Sequence, residues 1–332
     1  MRILSGIQPT GELHIGNWLG AVRNWVRLQD EHECLYAIVD YHAITVPYAA
    51  NELPRLVEDM LVSLLAVGLD PGRCRIFLQS EVSEHTELAW ILTTLAPLGQ
   101  LQRMTQFKDK AEGEGERVNA GLLMYPVLQA ADILVYKADR VPVGEDQIQH
   151  LELARTLARR FNHAFGEVFP EPAPLLTETK RVLGLDGESK MSKSRDNHIG
   201  ILDDPDTVRL KMTTAFTDPQ RKRRTDPGRP WLCNVFTWHG FFSDPEVVER
   251  VDRECRAAEI GCYEDKMLLA DILIETLRPM RDRAAELRRH PEELRRVLDE
   301  GREAAGAIAG ETMAEVRSAM GLWQASTRIP TA

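Results

Sequence analysis

Ser5-Gly6-Ile7-Gln8-Pro9-Thr10-Gly11-Glu12-Leu13-His14-Ile15-Gly16-Asn17 is the stretch on which the fold turns. Before it, Arg2 to Gly6 is a short, largely apolar run that predicts a buried strand. After it, residues 16–29 repeat apolar side chains at helical spacing. The stretch is therefore a strand-to-helix turn. In a doubly wound parallel sheet, such turns lie beyond the carboxyl ends of the strands, where ligands bind. A helix N-terminus offers unpaired backbone N–H groups and the positive end of a dipole, which suit phosphate. Gly16, without a Cβ, lets a nucleotide approach closely. His14 and Asn17 carry donors for phosphate oxygens, and Gln8 can add one from the loop. An ordinary glycine-containing turn with a polar helix cap would read much the same.

The alternation continues outward. Cys34–Asp40, Arg75–Gln79 and Arg140–Val143 read as strands. Helices are predicted over 51–67, 84–97, 121–137 and 145–161, the first stopped at Gly68 as a C-terminal glycine would stop it. Strands alternating with helices predict an α/β protein with a doubly wound parallel sheet. From about 204 onward the pattern is helical, with long stretches near 244–259, 264–289 and 292–319. We expect two domains: an α/β domain over 1–200 and an all-helical C-terminal domain over 201–332.

With 332 residues, 43% of them hydrophobic, the chain can bury a substantial core. No apolar run approaches the ~18 residues of a membrane-spanning helix, and Met1-Arg2-Ile3-Leu4-Ser5-Gly6 lacks the apolar core of a signal peptide. Five cysteines do not make a disulfide framework in a chain of this length, so a cytoplasmic location is expected. The net charge of −10 argues against a general nucleic-acid binder but leaves room for one basic face. Arg221-Lys222-Arg223-Arg224, in a Pro/Gly-rich loop, is a candidate for partner contact. The Arg-rich run from Arg278 to Arg296 reads equally well as a solvated helix face laced with Glu–Arg pairs.

Two further segments carry chemistry. Lys190-Met191-Ser192-Lys193-Ser194 follows Lys180, Gly184 and Gly187 in a charged loop. Lysines flanking small hydroxyls suit a clamp on a triphosphate, where ammonium groups stabilise the charge that develops on leaving pyrophosphate. Lysine–serine loops are also common solvated loops; the first motif, placed before the same α/β units, favours the clamp. In Tyr125-Pro126-Val127-Leu128-Gln129-Ala130-Ala131-Asp132, helical spacing puts Tyr125, Gln129 and Asp132 on one face of an otherwise apolar helix. A solvent face would explain the polarity, but Leu122, Leu123, Leu128 and Ile133 around it favour a ligand site.

The chain resembles the class I aminoacyl-tRNA synthetases, and within them the bacterial tryptophanyl-tRNA synthetases, from Ile3 to about Leu322. Beyond the two nucleotide signatures, the marks are Ile38-Val39-Asp40-Tyr41-His42-Ala43-Ile44-Thr45, Arg103-Met104-Thr105-Gln106-Phe107-Lys108 and Val143-Gly144-Glu145-Asp146-Gln147. The resemblance implies a Rossmann-like catalytic domain, a helical domain that reads the tRNA anticodon, and a homodimer. It implies activation of L-tryptophan by ATP with Mg2+, then transfer to tRNA(Trp). ATP would meet Gln8, Pro9, Thr10, Gly16, Asn17, Gly144, Glu145, Asp146, Val182, Lys190, Met191, Ser192, Lys193 and Ser194. Lys110 would reach the pyrophosphate end and join His14, Asn17, Lys190, Ser192 and Lys193 in catalysis. Asp132 would accept the indole N–H. Tyr125 and Gln147 would hold the α-ammonium with His42 and Gln106 nearby, and Val39, Val141 and Val143 would line the ring. Ser5, Gly6 and Gln129 complete the expected substrate set. One departure is Asn17, where many class I enzymes have a second histidine; Asn still donates.

Tyrosyl-tRNA synthetases share the Tyr-x-x-x-Gln-x-x-Asp face, and a phenol can also donate to Asp132, so that helix alone leaves tyrosine open. The Gly6–Gly11 and Gly144–Gln147 runs favour tryptophan. Two other rivals are a small-molecule nucleotidyltransferase and a non-catalytic tRNA-binding paralogue; both lysines of the 190–194 loop speak against the latter. Finally, Cys233, Cys255 and Cys262 are followed by Asp265. Some synthetases of this family carry an iron–sulfur cluster on four cysteines with nearly this spacing. A [4Fe-4S] cluster, a zinc ion or no metal are the readings left open.

Overall fold

The computed structural model describes residues 1–11, 13–105, 119–144, 147–176 and 182–323. Gln106, Lys110, Glu145 and Asp146, all expected at the site, lie outside the described residues. Five strands, β1 (Arg2–Ile7), β2 (Glu33–Ile38), β3 (Cys74–Leu78), β4 (Arg140–Val143) and β5 (Ala173–Leu176), form one sheet in the order β3-β2-β1-β4-β5. Every pairing is parallel. The chain starts at the centre with β1, steps outward to β3, then crosses to β4 on the other side of β1. The strand order therefore reverses between β1 and β4, the position at which doubly wound sheets bind ligands.

Both faces of the sheet are buried, which is why the strands read as continuous apolar runs. Ile3, Tyr36, Ile38 and Ile76 enter one apolar layer; Leu4, Leu35, Ala37 and Phe77 enter the other. The first layer is closed by a helical run over 15–28, by α2 (Leu53–Ala66) and by helices of the C-terminal half. The second is closed by α3 (Glu84–Leu95), α4 (Ala120–Val135) and α5 (Ile148–Phe165). In the 15–28 run the middle turn, Trp18–Val22, is π-helical, a widened turn that recurs beside functional sites.

After the sheet come α6 (Pro205–Thr213), α7 (Asn234–Phe242), α8 (Pro245–Arg256), α9 (Cys262–Leu287) and α10 (Pro291–Ala319). The last of these returns to the sheet. It lies along the edge strand β3, where a Cβ added to Gly301 would stand 1.8 Å from the Ile76 carbonyl oxygen. Arg317 of α10 pairs with Glu87 of α3, and Glu315 with Lys137 at 2.8 Å. A covered edge cannot recruit another strand. The strand β5 was not anticipated: Pro174 disrupts the apolar pattern, and proline is tolerated there because β5 is an edge. The second strand ends at Ile38, and Asp40–Ala43 is a helical turn. No described helix is long and apolar enough to cross a membrane.

Candidate active site

The two nucleotide signatures, far apart in sequence, interlock. Beyond β1, His14 caps the helical run, and its Nδ1 accepts the Asn17 backbone N–H at 3.2 Å. The same turn is tied to the segment after the lysine loop: Ile15 N–H donates to the Ile199 carbonyl at 3.0 Å and Ile201 N–H to the Leu13 carbonyl at 2.9 Å. Gly16 backs onto the loop directly, since a Cβ there would lie 3.1 Å from Met191 Cβ. Met191 is buried, and its N–H donates to the Val182 carbonyl at 3.2 Å. Lys193 crosses to Gly11 of the first loop. Gln8, Thr10 and Gly144 lie exposed beyond the strand ends, with Pro9 buried between the first two.

The electrostatics of this end are cationic. Burial, then the charges of Lys193, His198 and Lys190, lower the His14 imidazole to about 3. His14 is thus neutral near pH 7, and because Nδ1 accepts, the proton is assigned to Nε2. A neutral N–H donor beside two ammonium groups suits a polyphosphate. The loop is pinned by Asn197, which is buried: its Oδ1 accepts the Ser192 N–H at 2.7 Å, and its Nδ2 donates to Asp186 at 2.7 Å and to Ser189 Oγ at 2.9 Å. Gly184 makes room for it, since a Cβ there would meet Asn197 Nδ2 at 2.2 Å.

The pocket opens between β1 and β4. It is lined by Ser5 and Gly6 of β1, Val141 and Val143 of β4, Val39 and His42 after β2, Tyr125, Gln129 and Asp132 of α4, and Gln147. Every described residue expected to meet the amino acid is among them. Gln8 of the phosphate loop lines the same pocket, so both halves of the site share one space. Asp132 is buried and accepts from three side chains: His42 Nε2 at 2.7 Å, Gln79 Nε2 at 2.7 Å and His85 Nδ1 at 2.6 Å. Burial alone would raise its pKa, but His42 and then His85 outweigh this and hold the carboxyl below the usual range. It is an ionised acceptor near pH 7. Tyr125 Oη meets His150 Nε2 at 3.0 Å, and burial pushes the phenol up to about 12, so it stays neutral.

Sequence reasoning missed Gln79, His85, Tyr136, Asn197 and His198. Gln79 had a usable signal, as the first residue past the carboxyl end of β3. His198 lies 6.0 Å from His14, ring centre to ring centre. Two side chains of the 221–224 cluster are engaged within the chain. Arg221 Nη2 donates to the Ile260 carbonyl at 2.7 Å, and Arg224 pairs with Glu264 at 3.0 Å, fastening the 221–228 loop to the turn before α9. Arg278, Arg283 and Arg296 pair with Glu275, Glu286 and Glu300 on their own helices, the solvated-face reading of that run.

Cys233, Cys255, Cys262 and Asp265 do not fit a metal as they stand. Among the described residues, no group of three or more His, Cys, Asp and Glu side chains is placed to hold an ion. Asp265 is engaged by His239 Nε2 at 3.1 Å. Burial raises the Cys233 thiol to about 11 and raises Cys255 as well, away from the thiolate form that metals require. The iron–sulfur and zinc readings draw no support from this arrangement.

A parallel sheet that reverses at β1/β4, with a cationic phosphate turn on one side of the crevice and, on the other, a pocket that joins apolar walls to a few polar side chains, defines an amino-acid-activating nucleotide enzyme. The family model for tRNA synthetases class I (W and Y) matches residues 1–278. A tryptophan–tRNA ligase of Deinococcus radiodurans is 51% identical over 96% of this chain and 98% of its own length. One from Aquifex aeolicus is 40% identical over 97% of this chain and all of its own. The crystal structure of Campylobacter jejuni tryptophanyl-tRNA synthetase complexed with ADP and tryptophan superposes with a TM-score of 0.90. It is 35% identical, covering 97% of this chain and all of that one. The chain belongs to the tryptophan–tRNA ligase family of class I synthetases.

Proposed function

We infer that this chain is a tryptophan–tRNA ligase: it activates L-tryptophan with ATP and passes the aminoacyl group to tRNA(Trp). The observation that carries the reading is a single pocket holding both Gln8 of the phosphate turn and the ionised Asp132. In the first step a tryptophan carboxylate oxygen attacks the α-phosphorus of ATP and the bond to pyrophosphate breaks. No protein nucleophile is needed; positioning and charge stabilisation carry the step. His14 Nε2–H, Asn17, Lys190, Ser192 and Lys193 hold the phosphates and stabilise the leaving pyrophosphate, with Lys110 joining them. Asp132 accepts the indole N–H. Tyr125 and Gln147 hold the α-ammonium, and Val39, Val141 and Val143 flank the ring.

Magnesium would come with ATP: the phosphate turn is cationic, and a protein cage of acidic side chains is absent among the described residues. Such an ion would be held largely by the nucleotide and would offset part of its charge. Residues 201–332 form the tRNA-reading half, and the protein works as a cytoplasmic homodimer. Large apolar side chains left exposed on the catalytic half, Trp90 at 70% and Leu98 at 58%, support a subunit contact there.

Amino-acid-dependent ATP–pyrophosphate exchange tests the reading, with tryptophan and tyrosine run side by side. Exchange with tryptophan alone is expected. Exchange with tyrosine alone overturns the specificity, and exchange with neither in folded protein overturns the activity.

A further inference from the structure

Behind Asp132 stands a second layer of side chains that never reaches the pocket. His85 is fully buried on α3, Tyr136 is fully buried just past the end of α4, and Gln79 is fully buried beyond β3. His85 Nδ1 lies 2.6 Å from Asp132 Oδ1, and its Nε2 lies 2.7 Å from Tyr136 Oη. Gln79 Nε2 donates to the same Oδ1 at 2.7 Å, while its Oε1 accepts the Tyr41 N–H at 3.1 Å. Among the described residues, Asp132 Oδ2 receives only His42 Nε2, at 2.7 Å.

The proton positions are assigned from the chemistry of the partners. An ionised carboxylate only accepts, so His85 Nδ1 carries a hydrogen. Among the described residues, the Tyr136 hydroxyl has no acceptor other than His85 Nε2. Burial pushes that phenol far up, so it keeps its proton and donates it. The chain therefore runs from Tyr136 O–H to His85 Nε2, and from His85 Nδ1–H to Asp132 Oδ1. A carboxylate offers roughly four lone-pair positions. Oδ1 is filled by two donors and Oδ2 by one, which leaves one acceptor position, on Oδ2.

We propose that His85, oriented by Tyr136, is a specificity-determining positioning residue: it closes Oδ1 so that Asp132 offers the substrate ring one acceptor position and nothing else. An indole N–H, a donor with no lone pair to satisfy, matches that position. A phenol brings a donor and an acceptor oxygen, and of the side chains that donate to Asp132 only His42 lines the pocket, its Nε2–H already committed to Oδ2. The inference rests on the tryptophan reading and on Asp132 as the ring acceptor.

The test is ATP–pyrophosphate exchange on the full chain with tryptophan, its benzothiophene isostere (sulfur in place of N–H) and tyrosine. In His85→Leu, the tryptophan KM should rise at least ~10-fold with kcat within about threefold, the size expected for one hydrogen bond acting through binding. The preference for tryptophan over the isostere should narrow by about the same factor. His85→Asn puts an amide N–H at the Nδ1 position and should restore both. His85→Gln puts its amide toward Tyr136 and should not. Equal rescue by Asn and Gln, or an unchanged KM and preference in His85→Leu, overturns the proposal. Should His85→Leu fail to fold, Tyr136→Phe removes one oxygen only. A preference narrowed about threefold or more supports the relay, and an unchanged one overturns it. Wild-type protein that exchanges with tyrosine instead of tryptophan overturns the underlying reading. Wild-type protein that uses tryptophan while the variants behave like it overturns the relay alone.

Discussion

Lys193 lies across Gly11, its Nζ 3.1 Å from where a Cβ on that glycine would stand. Gly11 has a φ of +122°, a conformation in which a side chain is strained as well as obstructive. The lysine loop and the phosphate turn therefore meet at a point that only glycine can occupy. A cation held there faces the phosphate turn and not the ring pocket. Lys193→Ala should lower the single-turnover rate of adenylate formation about 10²-fold or more, as loss of a charged transition-state contact does, while the tryptophan Kd changes little. Equal losses in rate and in tryptophan binding, from rapid quench beside equilibrium dialysis, would contradict a transition-state role.

His14 gives a prediction in pH. Its folded pKa, about 3, lies below the ordinary histidine value of 6.5 because of burial and then the Lys193, His198 and Lys190 charges. The unfolded chain therefore takes up this proton at a higher pH than the folded one. The contribution to stability is full above about 6.5 and is lost as pH falls from there toward 3. Bound pyrophosphate offsets the lysine charges and should raise the value. NMR titration of the His14 ring checks both statements. An ordinary midpoint in the free protein, or no movement with pyrophosphate, would show that the surroundings are not as described.

Asp132 ties specificity to stability. Asp132→Ala should reduce kcat/KM for tryptophan by at least about 2 kcal/mol, roughly 30-fold, by leaving the indole donor unpaired. It also strands three buried donors, on His42, Gln79 and His85. The midpoint of denaturation should fall too, by an amount corresponding to about 3–5 kcal/mol for breaking a buried charged network. Wild-type kinetics in that variant would remove Asp132 from the site.

How much of this was legible in the sequence follows from where the information resides. The phosphate turn and the lysine loop could be read because their residue types fit one chemistry and lie in contiguous runs. The Tyr125–Gln129–Asp132 face could be read because helical spacing is local. His85 and Tyr136 could not. Each sits singly among apolar neighbours, and only the packing of α3 against α4 joins them to Asp132. Asn197 escaped for the same reason, since its partners Asp186 and Ser192 meet it only once the loop has folded back. In the arginine-rich stretch from Arg278, Arg278 and Arg296 pair along their own helices, whereas Arg283 also reaches Glu293 of α10 and Arg288 reaches Asp59 of α2, links that no local spacing shows. The path of α10 back to β3 was also hidden, because Gly301 inside a helix looks like a weakness until the strand beneath it is seen.

That glycine supports a stability prediction with an internal control. In α10, Gly301 and Gly306 stand five residues apart on one helix. A Cβ at 301 would overlap the Ile76 carbonyl oxygen at 1.8 Å and its carbon at 2.7 Å, whereas one at 306 would meet nothing within 4 Å. The obstacle at 301 is sheet backbone, which cannot swing aside as a side chain can. Gly301→Ala should therefore destabilise the protein by about 1–3 kcal/mol or more through overpacking, prising α10 from β3. Gly306→Ala should stabilise it by up to about 1 kcal/mol, because alanine is the better helix former. Urea denaturation of the two variants beside the parent decides it. If both behave alike, the close contact between α10 and the edge strand is not formed in solution. A loss confined to Gly301→Ala establishes that the last helix is fastened to the catalytic sheet through bare backbone.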